Sequence, residues 1–158
     1  MKEAYLAVAG RIRQELQELE QVAKRTEQIW QRVVATADDY YVDATALNLH
    51  GFYAGLERVF ELIADGIDQS KPTGANWHQA LLRQMTAEIP NTRPAVISIQ
   101  TRNRLDAYRG FRHVVRNVYT YHLDRQQVEV LVKQLPAVLA DTSQELMDFA
   151  SLLENLTQ

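Results

Sequence analysis

Six side chains within eleven residues could do chemistry: Arg109, Arg112, His113, Arg116, Asn117 and Tyr119. They sit in the stretch Leu105 to Asp124, LDAYRGFRHVVRNVYTYHLD, whose spacing predicts a helix at about 100° per residue. On that helix Arg112, Arg116 and Tyr119 share one surface at i, i+4 and i+7, and Arg109, His113 and Asn117 form the neighbouring row. Leu105, Phe111, Val114, Val115 and Val118 make the apolar side. Arginines one turn apart repel each other. Such a row faces an anion or a partner, or it is a solvated face of a helical bundle. A guanidinium grips phosphate oxygens in pairs and stays charged, and a histidine exchanges protons near neutral pH.

The charge is unevenly spread. The net charge of the chain is −3, yet Arg93 to Arg125 holds seven arginines against Asp106 and Asp124, a local balance of +5 that leaves −8 for the rest. A basic segment in an acidic protein is an electrostatic footprint for phosphate or for an acidic protein partner. Other chemistries find no support. There is no Gly-rich phosphate loop, no HExxH, no carboxylate pair at metal spacing and no nucleophile elbow. No cofactor or metal is therefore expected. With no cysteine there is neither a disulfide framework nor a thiolate site. No run of 18 apolar residues occurs, so no membrane span is expected. The start, MKEAYLAVAGRIRQE, is charged too early for a secretory signal, and the expected location is cytoplasmic.

The elements that must position these residues are all helical. Residues 3 to 36 read as one long helix with the stripe Tyr5, Val8, Ile12, Leu16, Leu19, Ala23, Ile29, Trp30 and Val33. After Asp38 and Asp39 a second helix runs from Val42 to Gln69 on Leu49, Phe52, Tyr53, Leu56, Val59, Phe60, Ile63 and Ile67. Gly51 and Gly55 within it predict close approach of another helix, and His50 reads as a surface residue. Lys71 to Asn76 is a loop, and Trp77 to Glu88 is a short amphipathic helix with Leu81, Leu82 and Met85 inward. Pro90 and Pro94 break the chain, and Ser98 or Thr101 can cap the arginine-rich helix. Asp124 with Gln127 reads as a capping box for a last helix whose stripe, Val128 to Leu153, keeps its phase across Pro136. The expectation is a single all-α domain spanning residues 1–158, an up-and-down bundle of four long helices plus one short helix.

The run Arg112-His113-Val114-Val115-Arg116-Asn117-Val118-Tyr119 resembles the motif of HEPN-domain proteins, most closely the HepT-like branch, whose pattern is arginine, four residues, histidine, one residue, tyrosine. Ile89-Pro90 and Arg93 to Ser98 upstream, and Leu123-Asp124 downstream, are similar as well. Asn117 stands where that family carries its histidine. A second frame, Arg116-Asn117 with His122, fits the looser family spacing.

The resemblance implies a bundle fold and a toxin of a toxin–antitoxin pair. Its activity would be metal-independent cleavage of RNA at a cleft shared by a homodimer. Arg112 would hold the scissile phosphate, Arg109 and Arg116 would bind RNA, and position 117 would supply the base. Asparagine cannot exchange a proton near neutral pH, so activity is expected to be weak or absent unless His113, on the same row, acts instead. The resemblance further implies an MNT-type nucleotidyltransferase antitoxin that transfers AMP to Tyr119. The other reading of Tyr119 is an aromatic packed at a helix seam. A non-catalytic HEPN-type subunit that binds a nucleotidyltransferase and its substrate is the alternative function.

Overall fold

A computed structural model describes residues 2–158. Five helices follow one another: α1 (Lys2–Thr36), α2 (Tyr40–Gly66), α3 (Trp77–Gln84), α4 (Ile99–Asn117) and α5 (Arg125–Asn155), with a single 3-10 turn at Thr120–His122. The fold is an all-α bundle of four long helices and one short one, and no strand occurs among the described residues.

Neighbouring helices run antiparallel. Glu15 pairs with Arg58 and Gly55 sits against Leu19, so α1 descends as α2 rises. Arg13 pairs with Glu154 while Arg125 lies over Trp30, which sets α5 antiparallel to α1. Arg104 to Asp141 and Tyr108 to Leu131 do the same for α4 and α5. Every residue of the sequence stripe on α2 is buried, as are Leu81, Leu82 and Met85 and the apolar stripe of α5, which continues through Pro136. Burying such faces drives helix association at roughly 25 cal/mol per Å².

Local signals set most helix ends. Ser98 caps α4, its hydroxyl accepting from the Thr101 N–H at 3.1 Å. Asp124 caps α5 by accepting from Gln126 N–H at 2.9 Å, one residue earlier than a capping box with Gln127 predicts. Helix α1 stops at Ala37, whose φ of 55° lets its N–H reach the Val33 carbonyl at 3.0 Å. The two glycines of α2 differ. A Cβ on Gly55 would lie 2.7 Å from Leu19 Cδ2, the close approach expected, whereas one on Gly51 meets nothing within 4 Å.

Three expectations about length and position change. Helix α2 is Tyr40–Gly66 and α3 ends at Gln84, short of Glu88. The arginine-rich helix does not extend to Asp124 but stops at Asn117, where Val118 turns extended at φ −125° and ψ 156°. The run Val118-Tyr119-Thr120-Tyr121 is β-branched and aromatic, residues that lose side-chain freedom in a helix. The apolar side shifts accordingly: Leu105, Tyr108 and Phe111 are buried, Val114 and Val115 half-buried, and Val118 exposed. Tyr108 donates to the Leu131 carbonyl at 2.6 Å and meets Phe52 edge-on, pinning α4 to both α5 and α2.

The basic segment is also narrower than its sequence. Arg93 is fully buried and bonds Asp68 through Nε and Nη2 at 2.6 and 2.7 Å. Arg104 pairs with Asp141, and Arg125 lies over Trp30. Three arginines, Arg109, Arg112 and Arg116, are gathered in the second half of α4.

Candidate functional site

The C-terminal half of α4, the start of α3 and the loop before it enclose a cleft of about 490 Å³. Ala75, Asn76, His78 and Gln79 line one side, and Arg109, Arg112, His113, Arg116 and Asn117 the other. Five of the six residues singled out by spacing therefore meet in one place. They do so because positions 109, 112, 113, 116 and 117 fall on one side of a helix whose adjoining side is fixed in the core by Leu105, Tyr108 and Phe111.

Tyr119 does not line the cleft. With α4 ended at Asn117, Tyr119 is extended, 75% exposed, and stacked on Tyr121 with ring centroids 6.0 Å apart. It is neither one turn beyond Arg116 nor packed at a helix seam. His122, the base of the second reading frame, is exposed in the 3-10 turn and tilts against Tyr121. Asn117 is exposed at the last turn, donating to the His113 carbonyl at 2.7 Å and lying 3.3 Å from His113 Nδ1. Arg109 is tied to Asp106 at 2.7 Å, which leaves Arg112 and Arg116 as the cleft's uncompensated or only distantly compensated cations.

Behind the cleft stands a charged cluster that the sequence reading missed. Glu57 of α2 is 4% exposed, and its Oε2 lies 2.7 Å from His78 Nδ1. Its Oε1 lies 3.8 Å from Arg112 Nη1. One buried carboxylate thus faces both the imidazole of α3 and the first arginine of the motif. Arg112 Nη1 is also 3.5 Å from His78 Nδ1. We read that approach as charge alignment and not as a hydrogen bond, because Nδ1 is committed to the much nearer carboxylate. The Trp77 ring lies 3.7 Å from the His78 ring and limits its rotation.

A sequence signal for Glu57 existed. It falls four residues after Tyr53 and three before Phe60, inside an apolar stripe, where a carboxylate stays buried only with a partner.

His50 was expected at the surface, but it is half-buried next to this cluster. Its Nε2 is buried without a protein partner, as are Tyr53 Oη and Arg112 Nε. Burial, then the Arg112 and Arg116 charges, hold the His50 pKa below the usual histidine value, and Glu57 only partly opposes them. The sign follows directly. A histidine whose folded pKa lies below its unfolded value costs nothing above about pH 6.5, where both states are neutral. As pH falls below that value the unfolded state binds the proton first and stability drops. His50→Gln is therefore expected to flatten the loss of stability between about pH 6.5 and 5 in urea titrations. An acid limb identical to that of the unsubstituted chain would contradict this assignment.

Burial also raises the pKa of the Tyr53 hydroxyl, so it is a neutral member of the cluster. No helix among the described residues is long and apolar enough to cross a membrane.

No curated protein and no solved structure matches the chain. The profile of the HepT-like protein family does match, over residues 44–153, a span that holds α3, α4 and every residue lining the cleft. That match covers well over half of the sequence, and the chain belongs to the HepT-like, HEPN-domain proteins.

Proposed function

We propose that this protein is a HepT-like toxin acting as a metal-independent endoribonuclease. The observation that carries the reading is the gathering of Arg109, Arg112 and Arg116 with two histidines around one cleft in a HepT-like chain. Arg112 would bind the scissile phosphate, with Arg109 and Arg116 holding the flanking backbone. Two copies would face each other along α4. Gly110 favours this arrangement, since nothing lies within 4 Å of the place its Cβ would occupy. The exposed hydroxyl of Tyr119 suits an AMP acceptor for an MNT-type nucleotidyltransferase antitoxin, because an enzyme can reach it without unpacking the bundle.

Asn117 favours a second reading, a non-catalytic HEPN-type subunit that binds a nucleotidyltransferase and its substrate. One experiment separates the two. Single-stranded RNA is incubated with the chain as given and with Asn117→His, in EDTA, and the product ends are determined. The toxin reading expects fragments ending in 2′,3′-cyclic phosphate, and about tenfold or more faster cleavage by Asn117→His, a modest share of what a proton-transfer group contributes. Intact RNA in both reactions supports the binding subunit.

A further inference from the structure

The ribonuclease reading leaves the proton transfers without an owner, because the motif position that should supply them is Asn117. The cleft contains two histidines, and their surroundings differ. His113 is exposed, and its Nδ1 faces the Asn117 amide at 3.3 Å. Nothing beyond that amide orients it. His78 is held on three sides: by Glu57 at 2.7 Å, by the Trp77 ring at 3.7 Å, and by the backbone of the first turn of α3.

We propose that Glu57 and His78 form a carboxylate–imidazole pair whose free Nε2 is the general base of this cleft. The proposal rests on the ribonuclease reading and adds to it the residue that moves the proton. Glu57 is buried and accepts from Nδ1–H, which fixes the tautomer and leaves the lone pair on Nε2. Nε2 has no protein partner and is not among the buried unpartnered atoms, and the ring lines the cleft that Arg112 also lines. Base and phosphate ligand therefore share one carboxylate behind them, although the two residues lie 34 apart in the chain. The charged and titratable groups around the imidazole are Glu57 from α2, Arg112 from α4 and, across the cleft, Arg109, His113 and Arg116.

The step balances without a metal or a co-reactant other than water. Nε2 takes the proton of the ribose 2′-hydroxyl as the 2′-oxygen bonds to phosphorus. The P–O5′ bond breaks, and its electron pair leaves with the 5′-oxygen, which takes a proton from water. The resulting hydroxide is neutralised by the proton that the imidazolium gives up. The products are a 2′,3′-cyclic phosphate and a 5′-hydroxyl. During the step Glu57 faces the imidazolium and Arg112 the phosphate.

The test compares the chain as given, His78→Ala, Glu57→Gln and Asn117→His on one single-stranded RNA in EDTA across pH. The chain as given is expected to cleave. His78→Ala should slow cleavage about 10²- to 10³-fold and remove the acid limb of the pH profile, and added imidazole should restore part of the rate. Glu57→Gln should lower kcat and shift that limb with little change in KM. Nitrogen-15 NMR of the unsubstituted protein should find the proton of neutral His78 on Nδ1, a reading that requires no variant to fold. Proton occupancy of Nε2 instead, or undiminished cleavage by His78→Ala, overturns the pair while the ribonuclease reading stands. Cleavage by Asn117→His alone, with the chain as given silent, does the same. RNA left intact by both the chain as given and Asn117→His overturns the ribonuclease reading, and the proposed base falls with it.

Discussion

Arg112→Ala is expected to lower RNA cleavage by about 10³-fold, the scale lost when a guanidinium that stabilises a transferring phosphoryl group is removed. The side chain is 17% exposed and lies against buried Glu57. Two losses therefore coincide. The phosphate loses its bidentate donor, and the carboxylate loses a cation, leaving it to His78 alone. Arg112→Lys should recover little, because an ammonium keeps the charge but not the planar fork. Arg116 is exposed and Arg109 is tied to Asp106. Their alanine variants should weaken RNA binding with a shallower salt dependence, each removing about one phosphate contact, while kcat at saturating RNA stays nearly constant. Single-turnover cleavage and filter binding at several salt concentrations separate these outcomes. An Arg112→Ala variant with only the salt-dependent loss would make Arg112 one more backbone contact.

The contrast between these arginines marks what the sequence could reveal. Periodicity placed Arg109, Arg112, His113, Arg116 and Asn117 on one helical side, and the cleft unites them, because i, i+3 and i+4 geometry is a property of the helix alone. The same logic identified the buried stripes of α2 and α5. It failed where a helix had to stop. Val118 and Tyr119 continue the apolar and polar rows on paper, but their branched and aromatic side chains, with Asp124 ready to cap the next helix, end α4 at Asn117. Glu57 and His78 were missed for another reason. They lie 21 residues apart across a loop, and a pairing set by tertiary packing has no period to detect. Charge counting erred similarly, adding Arg93 to a phosphate footprint when that side chain is the most deeply buried cation of the segment.

That buried arginine carries the largest stability effect expected of any polar residue here. Both Arg93 and Asp68 have fully buried side chains joined by two parallel hydrogen bonds at 2.6 and 2.7 Å. Arg93 also donates to the Ala87, Pro94 and Gln84 carbonyls, and Gln84 donates to Asp68 at 2.8 Å. The network fastens the end of α2 to the end of α3 and satisfies carbonyls that the helix itself leaves open. Asp68→Ala strands a guanidinium without its counter-ion in the interior, a change that costs about 3–5 kcal/mol. At 2–4 °C per kcal/mol for a chain of this size, Tm should fall by roughly 6–20 °C. The exposed Arg104–Asp141 pair supplies the control, since Arg104→Ala should cost at most about 1 kcal/mol. Replacing Arg93 and Asp68 together by apolar residues of similar volume should cost less than Asp68→Ala alone, because no charge is then left unpaired. Helix α3 also carries His78 in its first turn, so loosening its far end should reduce cleavage even below the melting transition. Urea unfolding of the three variants, read beside their cleavage rates, decides the matter. A loss of under about 1 kcal/mol for Asp68→Ala would mean that the interior reaches water more readily than two fully buried side chains imply.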